Sequence, residues 1–273
     1  MHSDRHDRPS RFMNFELHAQ TDPGLIRENN EDSVALDPEN RVVVLADGMG
    51  GYNAGEVASA MATSFVKTEL GRWLAEGGHE ASSRELKRAM EICIDNANRS
   101  IFNAANAEAQ YAGMGTTLVM GVFQGVRCLI GHVGDSRCYR LRGGSFQQLT
   151  RDHSLLQEQI DAGLISPEQA QYATHKNLVT RALGVEDTVL LEVNEFRVED
   201  ADLSLFCSDG LSDMLPDNRI AAILVGAGTL EEKSNALVDA ANGSGGRDNI
   251  SVILVQTRAR PLRRGLLSRM LGQ

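Results

Sequence analysis

The sequence predicts an α+β domain, and three observations carry that prediction. Strand-like segments come in runs joined by tight turns, two long helix-like segments follow one another directly, and no internal repeat or long linker divides the 273 residues. A parallel βαβ sheet would need strand and helix to alternate, which they do not. With 42% apolar residues the chain is long enough to bury a full core.

The elements follow in order. Residues 15–21, FELHAQT, alternate as a half-buried strand does, and DPGLIRENNED supplies turn residues before the short run SVAL and the strand RVVVLA. Beyond the glycines of GMGG, Val57, Met61 and Phe65 recur at helical spacing. A second helix opens with the capping box Ser82-x-x-Glu85 and carries Leu86, Met90, Ile94, Ala97 and Ile101 on one face. TTLVMGVF, a Gln124-Gly125 turn, VRCLIGHV, RCYRL, the turn RGG and SFQQL then read as antiparallel strands joined by hairpins. Residues 152–183 break this pattern with two short helices, the second entered at Ser166-Pro167 with Gln169 completing its cap; the segment reads as an insertion over the sheet, a flap. The strands VLLEVNEFRV and LSLFCS, a helix capped by Thr229-x-x-Glu232 and closed by Gly243, and the strand ISVILVQ complete the domain.

Composition narrows the function. The formal net charge of -10 argues against nucleic-acid binding, which needs a positive face, and suits the gathering of metal cations. No run approaches the ~18 apolar residues of a membrane span and the polar start is unlike a signal peptide, so the expected compartment is the cytoplasm. Cys93, Cys128, Cys138 and Cys207 lie in apolar stretches without paired spacing, as reduced structural thiols do. The seven histidines are scattered, without zinc-ligand spacing.

The chemistry is concentrated in carboxylates at strand ends: VVVLADG ends on Asp47, LSLFCSDG on Asp209 and LIGHVGDS on Asp135, while Asp248 begins DNISVILVQ. A single Asp-Gly pair is usually a turn. Four at the ends of strands in register can converge on one edge, where they repel unless a divalent cation relieves them. Adding Glu31 of NNED and the backbone carbonyl of flexible Gly48 gives an oxygen-only donor set, suited to Mg²⁺ or Mn²⁺ rather than zinc.

In order, TDPGLIRENNED, LADGMGG, MGTT, GHVGDSRCYRL, LTRDHS, TRALG, CSDGLSD and GGRDNISVILV resemble the successive motifs of the PPM family, the metal-dependent type-2C protein serine/threonine phosphatases, in its compact bacterial form. The resemblance implies a four-layer α-β-β-α sandwich of two antiparallel sheets flanked by helix pairs, spanning residues 14–257, with the flap at about 152–183. Residues 1–13 are expected to be a disordered extension and 258–273 an Arg-rich tail. It also implies a centre of two Mn²⁺ or Mg²⁺ ions with a third, weaker one. Asp47 would bridge, Gly48 would offer its carbonyl, Asp209 and Asp248 would complete the first site, Glu31 would serve the second, and Asp135 with Asp209 the third. Two such cations about 3.5–4 Å apart generate a bridging hydroxide for in-line attack on phosphorus. Arg27 would grip the phosphate and Asp32 would orient the attacking water.

In many members a histidine follows the Asp-Gly pair as general acid; here that residue is Met49, which has no proton to donate, as in bacterial relatives. His153, at the flap entrance, is the candidate replacement. The expected activity is hydrolysis of phosphoserine and phosphothreonine on proteins, opposing a bacterial Ser/Thr kinase.

Three other readings compete. Cys93-x5-Arg99 has the spacing of thiol phosphatases but falls in mid-helix, where backbone amides are not free to cradle an anion. A catalytically weak or inactive phosphopeptide-binding regulator on the same fold should have lost metal carboxylates, and all are present. In the tail, Leu262, Leu266, Leu267, Met270 and Leu271 could form a membrane-facing helix, although Gly265 and its shortness favour a solvated end.

Overall fold

The computed structural model describes residues 13–51, 54–166, 169 and 178–259. The expectations for the N-terminal extension and the C-terminal tail lie outside them, except at the borders: β1 begins at Met13 and β11 ends at Ala259, paired with it in register.

Two antiparallel sheets form the centre. The first runs β1 (Met13–Asp22), β11 (Ile250–Ala259), β10 (Leu203–Cys207), β7 (Arg137–Arg142) and β8 (Ser145–Gln148). The second runs β2 (Asp32–Asp37), β3 (Val42–Met49), β5 (Leu118–Gln124), β6 (Arg127–Val133) and β9 (Glu192–Arg197), with β4 (Gly115–Thr116) pairing the tip of β3. Helices α1 (Ala54–Ala75) and α2 (Ser83–Ala107) pack on the second sheet. Helices α4 (Asp209–Ser212), α5 (Asp217–Val225) and α6 (Leu230–Gly243) pack on the first. The order of layers is therefore α-β-β-α.

Strand β3 explains why the sequence reads as solid apolar runs. Side chains alternate across a strand; Val42, Val44 and Ala46 face α1 and α2, while Val43 and Leu45 face the other sheet. A sheet covered on both sides needs apolar residues at every position. Between the sheets, Phe123 meets Phe206 edge-on at 6.4 Å and Phe15 at 5.1 Å.

Local signals act where the sequence places them. Ser82 and Glu85 form the reciprocal cap of α2, and Thr229 and Glu232 that of α6. Helix α6 includes Gly243, and the chain turns away at Gly245 and Gly246, with φ of +131° and +49°. The stretch expected as one strand, TTLVMGVF, is broken at Thr117 because β4 and β5 pair different parts of β3. Helix α5, which the sequence reading passes over, is entered from Pro216 and buries only Ile220 and Leu224. In the segment expected as a flap, α3 (Leu155–Asp161) is capped by Ser154. For the second flap helix the expected Ser166–Gln169 cap forms in both directions, at 2.8 and 3.3 Å, and the helix body lies outside the described residues.

Candidate metal centre

The sheet register brings the predicted carboxylates to one end of the sandwich. Asp32 lies directly opposite Asp47 across β2 and β3. Asp209 opens α4 immediately after β10, Asp248 precedes β11 beside it, and Asp135 lies between β6 and β7. Their proximity is visible in their charges. Burial first, then Asp32, Asp209, Asp135 and Asp248, hold the Asp47 carboxyl well above the carboxylate range. Burial first, then Asp135, Asp213, Asp248 and Asp32, do the same for Asp209. Asp32 is pushed up to about 7, mainly by burial and against the opposing pull of the nearby Ser251 and Ser208 hydroxyls. Asp135 is pushed up to about 6 by burial and then by Asp152. Glu31 is raised by burial, against the opposing pull of Arg27.

The residues fit a hard divalent cation. Asp32 is 8% exposed, and while its Oδ2 accepts from Ser208 Oγ at 2.8 Å, its Oδ1 is buried without a hydrogen-bond partner. A buried acceptor left unmatched costs about 1–3 kcal/mol, which a cation or its water would recover. Gly48 seats the backbone tightly: a Cβ there would meet Gly55 O at 2.1 Å and Glu31 O at 2.6 Å. The Gly48 amide donates to Glu31 O at 3.0 Å, drawing Glu31 against Asp47.

Arg27 stands at the rim, its side chain 52% exposed, donating from Nη2 to Asp248 Oδ2 at 2.8 Å. Several supports escape the sequence reading. Asn249 accepts the Glu31 amide at 2.8 Å through Oδ1 and donates to the carbonyls of Pro23 and Asn29, so it holds the whole Arg27–Glu31 loop. Its position beside Asp248 in RDN was the available signal. Ser208 bridges Asp32 to the Ser251 amide, and Thr117 accepts the Asp47 amide at 3.1 Å while its Oγ1 lies 2.7 Å from Ser136 Oγ.

Met49 follows Gly48 in β3, opposite Gly115. His153 is buried at the flap entrance, and the charged groups acting on it are His132, Glu192 and Arg181 rather than the carboxylate cluster. Cys93 lies within α2 with its thiol pushed up to about 12 by burial, and Arg99 pairs with Asp95 at 3.0 Å. Neither is equipped for thiolate attack. All four cysteines are buried and free, as their apolar settings predict.

The chain matches a family model described as Protein phosphatase 2C over residues 27–240. It belongs to that family. Among protein phosphatase 2C relatives, the serine/threonine phosphatase stp of Listeria monocytogenes is 39% identical over 245 residues, covering 88% of this chain and 96% of that protein. The crystal structure of the Mycobacterium tuberculosis serine/threonine phosphatase PstP/Ppp superposes with a TM-score of 0.81 at 34% identity, covering 89% of this chain and 98% of that one. A structure of the catalytic domain of the protein phosphatase PstP, solved in complex with two manganese ions, superposes with a TM-score of 0.78 at 34% identity over 90% of this chain and 99% of that one. The two-sheet architecture is that of the family.

Proposed function

We propose that the chain is a metal-dependent protein serine/threonine phosphatase that hydrolyses phosphoserine and phosphothreonine on proteins and opposes a Ser/Thr kinase in the cytoplasm. The observation that carries the reading is the buried cluster of Asp32, Asp47, Asp135 and Asp209, whose mutual repulsion divalent cations relieve. Mn²⁺ or Mg²⁺ suits an oxygen-only donor set. Asp47, Gly48, Asp209 and Asp248 would hold a first cation, Glu31 with Asp47 and Gly48 a second, and Asp135 with Asp209 a third. Such cations, when bound, lower the pKa of water and supply a nucleophile for attack on phosphorus.

The chain's own residues do the positioning. Arg27, held by Asp248 at the rim, offers the rest of its planar fork to two phosphate oxygens and counters the charge that develops on them. The Oδ1 of Asp32, which has no hydrogen-bond partner, would accept a hydrogen bond from the attacking water and so aim its lone pair, while Ser208 fixes the other oxygen. Half-exposed Arg27 leaves room for a protein substrate at the rim. The test is hydrolysis of a phosphothreonine peptide by the wild type and by Asp209→Asn, each with EDTA, Mg²⁺ or Mn²⁺ and each checked for folding. Metal-dependent turnover that falls at least about 10²-fold in the variant is expected; a folded wild type inert with both metals overturns the reading.

A further inference from the structure

His153 grips one residue by both of its backbone groups. The Gly134 amide donates to His153 Nδ1 at 3.2 Å, and the His153 amide donates to the Gly134 carbonyl at 2.9 Å. Gly134 is the residue before Asp135. A neutral imidazole whose Nδ1 accepts carries its proton on Nε2; Nε2 lies 3.3 Å from Glu192 Oε2 and 3.5 Å from Arg181 Nη1. Burial, then His132 and Arg181, lower the pKa of the ring against the opposing pull of Glu192, and the His132 ring stacks on it at 4.6 Å.

A second tie lies beside this one. Asp152 takes the Arg137 guanidinium by three bonds, Nη2 to Oδ2 at 2.6 Å and Nε to Oδ2 at 2.9 Å and to Oδ1 at 3.0 Å, so the residues on both sides of the Asp135–Ser136 dipeptide are tied to the flap entrance. The His153 carbonyl accepts the Thr180 amide at 2.8 Å, which joins the other stem of the flap to the same point. Gly134 has little freedom to settle elsewhere, because its φ is +101° and a Cβ there would stand 2.7 Å from Thr117.

We propose that His153 is a positioning residue for Asp135: its ring and backbone fix the peptide that precedes that carboxylate and join it to both stems of the flap, and it takes no part in protonating the leaving group. The proposal rests on the metal-centre reading of Asp135. The same geometry argues against a metal site at His132, His153 and Glu192. These three offer ligand atoms within 4.8 Å of one another, but the Gly134 amide occupies His153 Nδ1 and the Arg181 guanidinium, itself a cation, stands 3.5 Å from Nε2 where a metal would have to bind.

The test compares His153→Asn, His153→Gln and His153→Ala, each checked for folding. The asparagine oxygen stands near the place of Nδ1 and can accept the Gly134 amide. Glutamine reaches toward Glu192 and leaves that amide unmatched. Calorimetric titration of Mn²⁺ into EDTA-stripped protein is expected to show affinity within about twofold of wild type for His153→Asn, and about tenfold weaker binding at the weakest site for the other two. If the alanine variant does not fold, the asparagine and glutamine pair still decides. Turnover of para-nitrophenyl phosphate and of a phosphothreonine peptide should fall together in each variant. A loss in His153→Asn confined to the peptide, whose alkoxide leaving group needs a proton, would make His153 an acid and overturn the proposal. Equal Mn²⁺ binding in all three variants would also overturn it, as would stoichiometric Zn²⁺ uptake abolished by His132→Ala. A wild type inactive on both substrates would sink the phosphatase reading, while the Mn²⁺ titrations would still test the anchor.

Discussion

Gly48→Ala is the sharpest test of how the centre is built. The added methyl would stand 2.1 Å from Gly55 O, 2.4 Å from Gly55 C and 2.6 Å from Glu31 O, all of them backbone atoms. Real Cβ atoms essentially never approach other heavy atoms closer than 3.0 Å, so the first turn of α1 and the Glu31 peptide must retreat. Overpacking of this kind costs about 1–3 kcal/mol, and the upper figure applies here because no flexible side chain can yield. At about 2–4 °C per kcal/mol for a domain of this size, the melting temperature should fall by about 6–12 °C. The same retreat stretches the bond from the Gly48 amide to Glu31 and separates Glu31 from Asp47, so Mn²⁺ affinity should fall as well. Gly51→Ala is the control, since its methyl would meet nothing within 4 Å. Differential scanning calorimetry with EDTA and with Mn²⁺ measures both effects. A Gly48→Ala protein melting within about 2 °C of wild type, with unchanged Mn²⁺ affinity, would refute the close-approach argument.

The metal-free protein should also carry a characteristic pH dependence. Asp32, at about 7, and Asp135, at about 6, titrate in the folded state above the unfolded carboxylate value of about 3.9, so the folded chain binds more protons between those limits. Their contribution is full below about pH 4 and is lost as the pH rises toward 7. In EDTA the melting temperature should therefore drop between pH 5 and pH 7.5, and the drop should shrink in Asp32→Asn; a rise that Asp32→Asn leaves unaltered would contradict the assignment. At the far end of the sandwich, buried Asp202 holds Arg142 by two bonds of 2.7 Å each and accepts the Glu199 amide at 2.8 Å. Asp202→Ala should cost about 3 kcal/mol in chemical denaturation because it strands partly buried donors. Asp161→Ala, which removes an exposed carboxylate that accepts from Arg151 and Gln157, should leave the denaturation midpoint close to that of the wild type.

What the sequence disclosed and what it withheld divide along the range of the interactions. The caps at Ser82 and Thr229 are four-residue events, and both were readable. The apolar runs of β3, β6, β10 and β11 announced strands, and the aspartates at their ends announced the cluster. Helix α5 was missed because two buried residues in nine make a weak periodic signal. The break at Thr117 could not be foreseen because it depends on where β3 hands over from β4 to β5. Asn249 and Ser208 act on partners more than 170 residues away in sequence, and no local pattern marks such a bond. His153 reads as a proton donor because histidine titrates near neutrality; its ring nitrogens face Gly134, Glu192 and Arg181, which only the folded chain brings to it.

The register of β2 and β3 joins stability to function. Like charges directly opposite one another weaken an antiparallel pair, and Asp32 faces Asp47 in just that way. A slip of the edge strand β2 by one residue would separate them, yet it would also turn Val34 and Leu36 away from the inter-sheet core and set Ser33 and Ala35 there instead. A valine or leucine contributes about 1.5–3 kcal/mol when fully buried, so even partial burial of these two outweighs one repulsive pair. The alternation that builds two hydrophobic layers therefore holds the carboxylates together against their own repulsion. With Asp209 and Asp248 brought in by β10 and β11, the relief open to the cluster is protonation or a divalent cation. Near neutral pH a cation competes with protons whose carboxyls release them only at about 6 to 7, which makes the centre a stronger binding site as the solution becomes less acid.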